Sequence, residues 1–295
     1  MSPTLSVLIP VLDYDCEQLV VDIGRKGNEE GIPTEILLGD DHSVRPDTRA
    51  MLARLSQIEG VRVLYTDKHL GRALNRNRLA EEARGEWLLF IDCDAQVPPA
   101  FSLRAYLEAG QQADVVCGGL RHPEANPCPE ATLRYKYERE ADRRRPARFR
   151  NGQPWGQLST FSLLIRRSVF LDIRFDEQCV HYGYEDTLFG AELHRRGIPV
   201  LHIDDPLLHM GLEPNPVFLA KTETSLRTLH SLQDKLHGHS RLLATVERLR
   251  RMHLTRPARL AWQFLRKPLR ANLLGRRPSL FLFSVYKLGY YLCLR

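Results

Sequence analysis

The chain has no Gly-x-Gly-x-x-Gly and no Walker-type phosphate loop, which speaks against a dinucleotide fold and against a P-loop enzyme. Its six cysteines, at 16, 93, 117, 128, 179 and 293, include no Cys-x-x-Cys pair. Several fall in apolar, strand-like runs and read as reduced core thiols of a cytoplasmic protein. Long apolar runs are missing too. The longest, Leu280 to Leu294, has fifteen residues with Lys287 inside it, short of the roughly 20 that a spanning helix needs. Met1 to Ser6 lead straight into an apolar strand without a cleavage-type pattern, so no secretory signal is expected. Acids almost vanish at the end: residues 241–295 hold thirteen Lys or Arg against one acid, Glu247. The net charge of +6 therefore conceals +12 in that tail and −6 over residues 1–240. An acidic body with a basic tail does not indicate nucleic-acid binding by the body.

What is present is the composition of a folded protein, 43% hydrophobic and 26% charged, in 295 residues. That length suits one large α/β domain or two modest ones. The organising stretch is Trp87-Leu88-Leu89-Phe90-Ile91 running into Asp92-Cys93-Asp94. An unbroken apolar run of this length reads as a strand buried on both faces, as in a parallel sheet. Ligands of open α/β sheets bind outside the carboxyl ends of such strands. If strand geometry persists, Asp92 and Asp94 point the same way. Two carboxylates so placed repel each other unless a cation or a shared polar ligand sits between them, and oxygen donors suit Mg²⁺ or Mn²⁺; the other reading is that they simply start a polar turn after the strand.

Three further strands are read before it: Leu5 to Val11, ended by Pro10; Glu35 to Gly39; and Val61 to Tyr65. Helices are expected over Cys16 to Lys26, with Asp15 as N-cap, near Thr48 to Ile58, and over the basic Gly71 to Arg84. Asp13, Asp41, and Asp92 with Asp94 thus follow three of these four strands, and parallel crossovers put those strand ends on one edge of the sheet. Later come a strand at Ala113 to Gly119, a charged helix over Pro129 to Arg145, and strands at Ser159 to Ile165 and Ile198 to Ile203. Trp155 reads as a core aromatic or as a platform for a sugar ring. In the cluster His181 to Phe189, Glu185 and Asp186 open a helix, where acids oppose the dipole, but where a carboxylate can also serve as a general base. His209 can complete a cation's coordination through a neutral imidazole, whereas His202 sits inside an apolar strand.

Ser6-Val7-Leu8-Ile9-Pro10, Glu35 to Ser43, Gly71 followed by Arg76-Asn77, and Phe90 to Asp94 resemble, in order and spacing, the family 2 glycosyltransferases. The resemblance implies the GT-A fold, a Rossmann-like α/β architecture with a mostly parallel sheet flanked by helices, and transfer of a sugar from a nucleotide-sugar, a UDP-sugar by resemblance. It implies that Pro10, Asp13 and Asp41 lie in the nucleoside pocket, with Asp41 on the base. Arg76 would lie near the diphosphate, the other reading of it being a solvated helix face. Asp92 and Asp94 would handle ribose, diphosphate and a Mn²⁺ or Mg²⁺ ion, with His209 as a further ligand. Tyr-Gly-Tyr-Glu-Asp is similar to the acidic pair of inverting members, in which the second acid, here Asp186, is the base and the first, Glu185, contacts the acceptor.

The organisation expected is a catalytic domain over 1–215, with a nucleotide-sugar half at 1–119 and an acceptor half at 120–215, then a helical basic extension over 216–295. Basic residues beside aliphatic and aromatic ones in that extension favour a helix in a membrane interface; packing on the catalytic domain or a homodimer interface are the other readings. The expected setting is cytoplasmic, peripheral on the inner face of the cell membrane, with a cell-surface glycan or lipid-linked acceptor. A nucleotidyltransferase and a non-catalytic glycan-binding scaffold are the rival functions. The first would want a glycine-rich loop where Leu12-Asp13-Tyr14-Asp15 stands, and the second would not need acids at every strand end.

Overall fold

The computed structural model describes residues 4–143, 145–179 and 182–294. Arg144 and His181, each part of a stretch singled out above, lie outside the described residues. In chain order the elements are β1 Leu5–Val11, α1 Glu17–Glu30, β2 Thr34–Asp40, α2 Pro46–Leu55, β3 Val61–Leu64, α3 Arg72–Glu82, β4 Trp87–Ile91, β5 Ala95–Gln96, α4 Leu103–Gly110, β6 Val115–Cys117 and β7 Leu120–Arg121. They continue with α5 Thr132–Asp142, α6 Ala147–Arg150, β8 Ser162–Arg166, α7 Arg167–Ile173, α8 Glu185–Arg195, β9 Val200–His202, β10 Leu207–His209, α9 Asn215–Ser231, α10 Arg241–Arg251, α11 Thr255–Leu274 and α12 Leu280–Leu292.

The chain divides into two compact units. The first takes Met1–His122, Arg144–Val180 and Glu185–Gly211. Its main sheet has the order β3-β2-β1-β4-β8-β6-β9. The ladders β3-β2-β1-β4 and β6-β9 are parallel, and β8 runs antiparallel between β4 and β6. This is the mixed α/β fold the strand–helix alternation predicts. All five residues of β4 are buried, as an apolar run sandwiched between helices should be. Pro10 does not end β1. The ladder to β4 stops at Leu8↔Phe90, so the ring sits where only β2 is paired, opposite Gly39. Gly39 has its own reason: a Cβ there would meet Asn75 and Leu79 of α3, and Asn75 Nδ2 donates to its carbonyl at 2.8 Å.

A second, three-stranded sheet, β5-β10-β7, was not visible in the sequence. Its strands are two or three residues long, below what hydrophobic alternation can reveal.

The second unit takes Pro123–Arg143, His181–Tyr184 and Leu212–Arg295. Its core joins Leu133, Leu219, Trp262, Leu269, Leu273, Phe283 and Tyr286. The apolar terminus is therefore helix α12 with its Phe283–Tyr286 face packed inside this unit. Even its one charge is absorbed, the Lys287 amine lying over the rings of Tyr137 and Phe283 at 5.0 and 4.6 Å.

Candidate active site

Three loops at the carboxyl ends of β1, β2 and β4 build the site in the first unit. Asp13 has φ 49°, a left-handed conformation that non-glycine residues adopt under constraint. Its Oδ1 accepts from the amides of Val44 and Arg45, each at 2.8 Å, and its own amide donates to Ser43 Oγ. Asp41 is buried and accepts from the amides of Leu70 and Gly71 at 2.6 and 3.0 Å, with His69 Nδ1 2.9 Å away. These two acids thus fix the loops that lead into α2 and α3. Pro10, near the end of β1, is half-buried.

The strand stops at Ile91, and residues 92–94 form a turn in which Ala95 donates its amide to the Asp92 carbonyl. Side-chain alternation does not continue across it, so the expectation that Asp92 and Asp94 share a direction by strand geometry gives way to two separate attachments. Asp92 Oδ1 accepts from Arg76 Nη2 at 2.6 Å. Asp94 Oδ2 faces His209 Nε2 at 3.1 Å.

Arg76 is not on a solvated helix face: it is 1% exposed. Burial works against its charge, but Asp92, Asp186 and Glu185 outweigh it and hold the guanidinium protonated. Asp92 is likewise opposed by burial, yet Arg76 and then Arg72 keep its carboxyl below the usual range. Arg76 Nη1 also lies 3.7 Å from Glu185 Oε1, so one guanidinium ties the turn after β4 to the first turn of α8. Its Nε and Nη1 make no hydrogen bond among the described residues.

Asp186 is held from another side. The amide and the hydroxyl of Thr160, just before β8, donate to its Oδ2 and Oδ1 at 3.0 and 2.8 Å. The antiparallel ladder sets Ile91 against Ser162, and the Asp92 amide donates to the Phe161 carbonyl, so Thr160 lies beside the end of β4. Burial, then the neighbouring Glu185 charge, pushes the Asp186 carboxyl up to about 6. Both of its oxygens accept from Thr160, so this carboxylate ties the first turn of α8 to the approach to β8.

His209 reaches Asp94 because β10 pairs antiparallel with β5, His209 opposite Ala95. Close approach here needs glycine: a Cβ on Gly211 would run into the Asp94 carboxylate. On the other side of the imidazole, His209 Nδ1 is 3.3 Å from Nε2 of His122, which follows β7. An oxygen and a nitrogen donor facing each other at this distance fit a divalent cation of the Mn²⁺ kind. His202 has both ring nitrogens committed, Nδ1 to Arg150 at 2.7 Å and Nε2 to the Pro154 carbonyl at 2.9 Å. Burial lowers its pKa to about 4, so it is a neutral core histidine. Trp155 stacks on His194 at 4.4 Å and donates to the Ile198 carbonyl.

Three residues escaped the sequence. Thr160 and His122 carry no local pattern that marks them. Arg72, half exposed and 3.9 Å from Glu185, was one basic residue among several on its helix.

The model of the family described as "Glycosyl transferase family 2" matches residues 11–174, more than half of the chain. The chain belongs to glycosyl transferase family 2. The matched segment holds Asp13, Asp41, Arg76, Asp92 and Asp94, while Glu185, Asp186 and His209 lie beyond it. No curated protein matches the chain. Among solved structures, the mannosyltransferase PcManGT from Pyrobaculum calidifontis, in complex with GDP-Man and Mn²⁺, is similar at 14% identity and TM-score 0.58 over 99% of this chain and 85% of that one. S. aureus TarS is similar at 17% identity and TM-score 0.51, over 77% of this chain and 39% of that one. TarS 1-349 in complex with UDP has 16% identity and TM-score 0.50, over 76% of this chain. The chain spans 64% of that TarS fragment. At these identities the likeness is one of fold, and the family 2 fold agrees with the sheet described above.

Proposed function

We propose that the protein is an inverting glycosyltransferase that moves a sugar from a nucleoside diphosphate sugar to an acceptor hydroxyl, with a divalent cation at Asp94 and His209. The observation that carries this reading is Arg76. A buried guanidinium joins Asp92 to Glu185, next to Asp186, whose carboxyl is pushed up to about 6. Buried donors that make no hydrogen bond are rare in folded proteins, and Nε and Nη1 of Arg76 suit a diphosphate oxygen.

In this reading Asp13 and Asp41, with Pro10, frame the nucleoside, and Asp92 handles the ribose and diphosphate. Asp94 and His209 would hold Mn²⁺ or Mg²⁺, which would supply positive charge to neutralise the leaving diphosphate. Asp186 takes the proton of the acceptor hydroxyl as its oxygen bonds to the anomeric carbon and the bond from that carbon to the diphosphate oxygen breaks. One displacement inverts the centre. A carboxylate of pKa about 6 is ionised at neutral pH yet more basic than an ordinary aspartate, the compromise a general base requires. Glu185 contacts the acceptor. Relatives of this fold that hold UDP, and GDP-Man with Mn²⁺, favour a UDP- or GDP-sugar, UDP being preferred on the sequence resemblance.

Residues 1–215 are taken as the catalytic part and 216–295 as a helical extension that attaches peripherally to the cytoplasmic face of the membrane, where a glycan or lipid-linked acceptor is found. No described helix is long and apolar enough to cross a membrane. The first test is thermal: UDP-, GDP- and dTDP-sugars are screened for a rise in Tm with and without Mn²⁺. A metal-dependent rise with one nucleotide class and none with the others is expected. No rise with any of them overturns the donor assignment.

A further inference from the structure

Helix α11 is apolar on two opposite sides. Trp262, Leu269 and Leu273 face the core of the second unit. At about 100° per residue, Leu260, Phe264 and Ala271 fall on the side opposite those three, together with Pro257 and Pro268. A surface helix should be polar there. Instead Phe264 is 74% exposed and Leu260 57%. Phe281, at the start of α12 in the same unit, is 75% exposed. Scattered single apolar residues on a surface are ordinary, but a stripe sustained along one helix is not.

The charge beside the stripe is of one sign. Arg256 and Lys267 lie along one rim of it, both exposed, and Arg276 and Arg277 follow the helix, exposed as well. No Asp or Glu occurs from 248 to 295. A protein partner would need an acidic rim around an apolar groove. A leaflet of anionic lipid offers both chemistries at once, a negative headgroup plane over an apolar interior.

We infer that the outward face of α11, centred on Leu260 and Phe264 and rimmed by Arg256 and Lys267, docks on an anionic lipid surface. The inference rests on the peripheral-membrane reading of the extension and assigns the contact to α11, the Phe283–Tyr286 face of α12 being packed in the core. The helix lies in the plane of the interface: Phe264 and Leu260 enter the acyl boundary, and the guanidinium and ammonium groups stay at headgroup level.

The test uses the full chain with vesicles of phosphatidylcholine alone or mixed with phosphatidylglycerol, read by co-sedimentation. Binding to the mixed vesicles only, weakening as salt is raised, is expected. Leu260→Ser with Phe264→Ser should weaken it by roughly tenfold or more, from the lost apolar burial. Arg256→Gln with Lys267→Gln should weaken it roughly 25-fold, at about fivefold per charge. These side chains are exposed, so both variants should melt as the wild type does and keep their nucleotide-dependent rise in Tm. Loss of that rise in the wild type would sink the transferase reading alone. Equal vesicle binding by wild type and both variants overturns the docking face. So does a wild type that ignores the vesicles and instead forms a dimer that Phe264→Ser abolishes.

Discussion

Replacing Asp186 by Asn separates chemistry from stability, because the structure makes the two move differently. The wild-type carboxyl titrates near 6 in the folded chain, against 3.8 for an ordinary aspartate. A rise of that size is worth about 2–3 kcal/mol, allowing for partial exposure. Because the folded pKa is the raised one, this contribution is fully present below pH about 3.8 and is lost as pH rises through about 6. Asn carries no charge, so the variant does not suffer that loss. It also keeps both Thr160 contacts, since its Oδ1 can accept from the Thr160 amide while its Nδ2 donates to the Thr160 hydroxyl, which accepts as well as donates. At pH 7.5 the variant should therefore unfold at a higher urea midpoint than the wild type, whose buried carboxylate is charged there. At pH 4.5, where the folded wild-type carboxyl is mostly protonated, most of that advantage should be gone. Transfer, by contrast, should fall by about 10²–10⁴-fold at saturating donor and acceptor. The assay is nucleoside diphosphate release coupled to a chromogenic reaction, over pH 5–8, where the wild-type rate should rise with a midpoint near 6. Transfer by Asp186→Asn within tenfold of wild type would remove Asp186 as the base and leave Glu185 in that role.

Asp94→Ala should abolish the Mn²⁺-dependent part of nucleotide binding, seen as a lost rise in Tm, and His209→Ala should weaken it less; an unchanged rise in Asp94→Ala removes the cation from this site. Arg76→Ala leaves Asp92 partly buried without its counter-charge and should cost about 3–5 kcal/mol in urea unfolding, whereas a loss under about 1 kcal/mol would mean that solvent already satisfies Asp92. Gly211→Ala pushes a methyl group into the Asp94 carboxylate. The variant should fold but need several-fold more Mn²⁺ for the same rise in Tm, and wild-type Mn²⁺ affinity would show that Asp94 does not use this approach.

The amino-acid sequence by itself determined the α/β class. The apolar runs of β1, β2 and β4 can be buried only between helices, and their unbroken hydrophobicity is a local property. It also determined which acids stand at strand ends, since Asp13, Asp41, Asp92 and Asp94 follow those runs directly, and their spacing carried the family resemblance. Tertiary structure alone decided what each acid touches. Arg76 reads as an exposed helical cation until α3 is laid over Gly39 and its guanidinium is closed in by Asp92 and Glu185. Asp92 and Asp94 part company because the chain turns after Ile91, which no period-two pattern foretells. His209 meets Asp94 through strands of two and three residues, too short to leave a signal. Helices α11 and α12 both feed the core of the second unit, yet α11 also leaves Leu260 and Phe264 bare on its far side. Composition states how much apolar surface a segment carries, and only the packing of its neighbours states which side is covered.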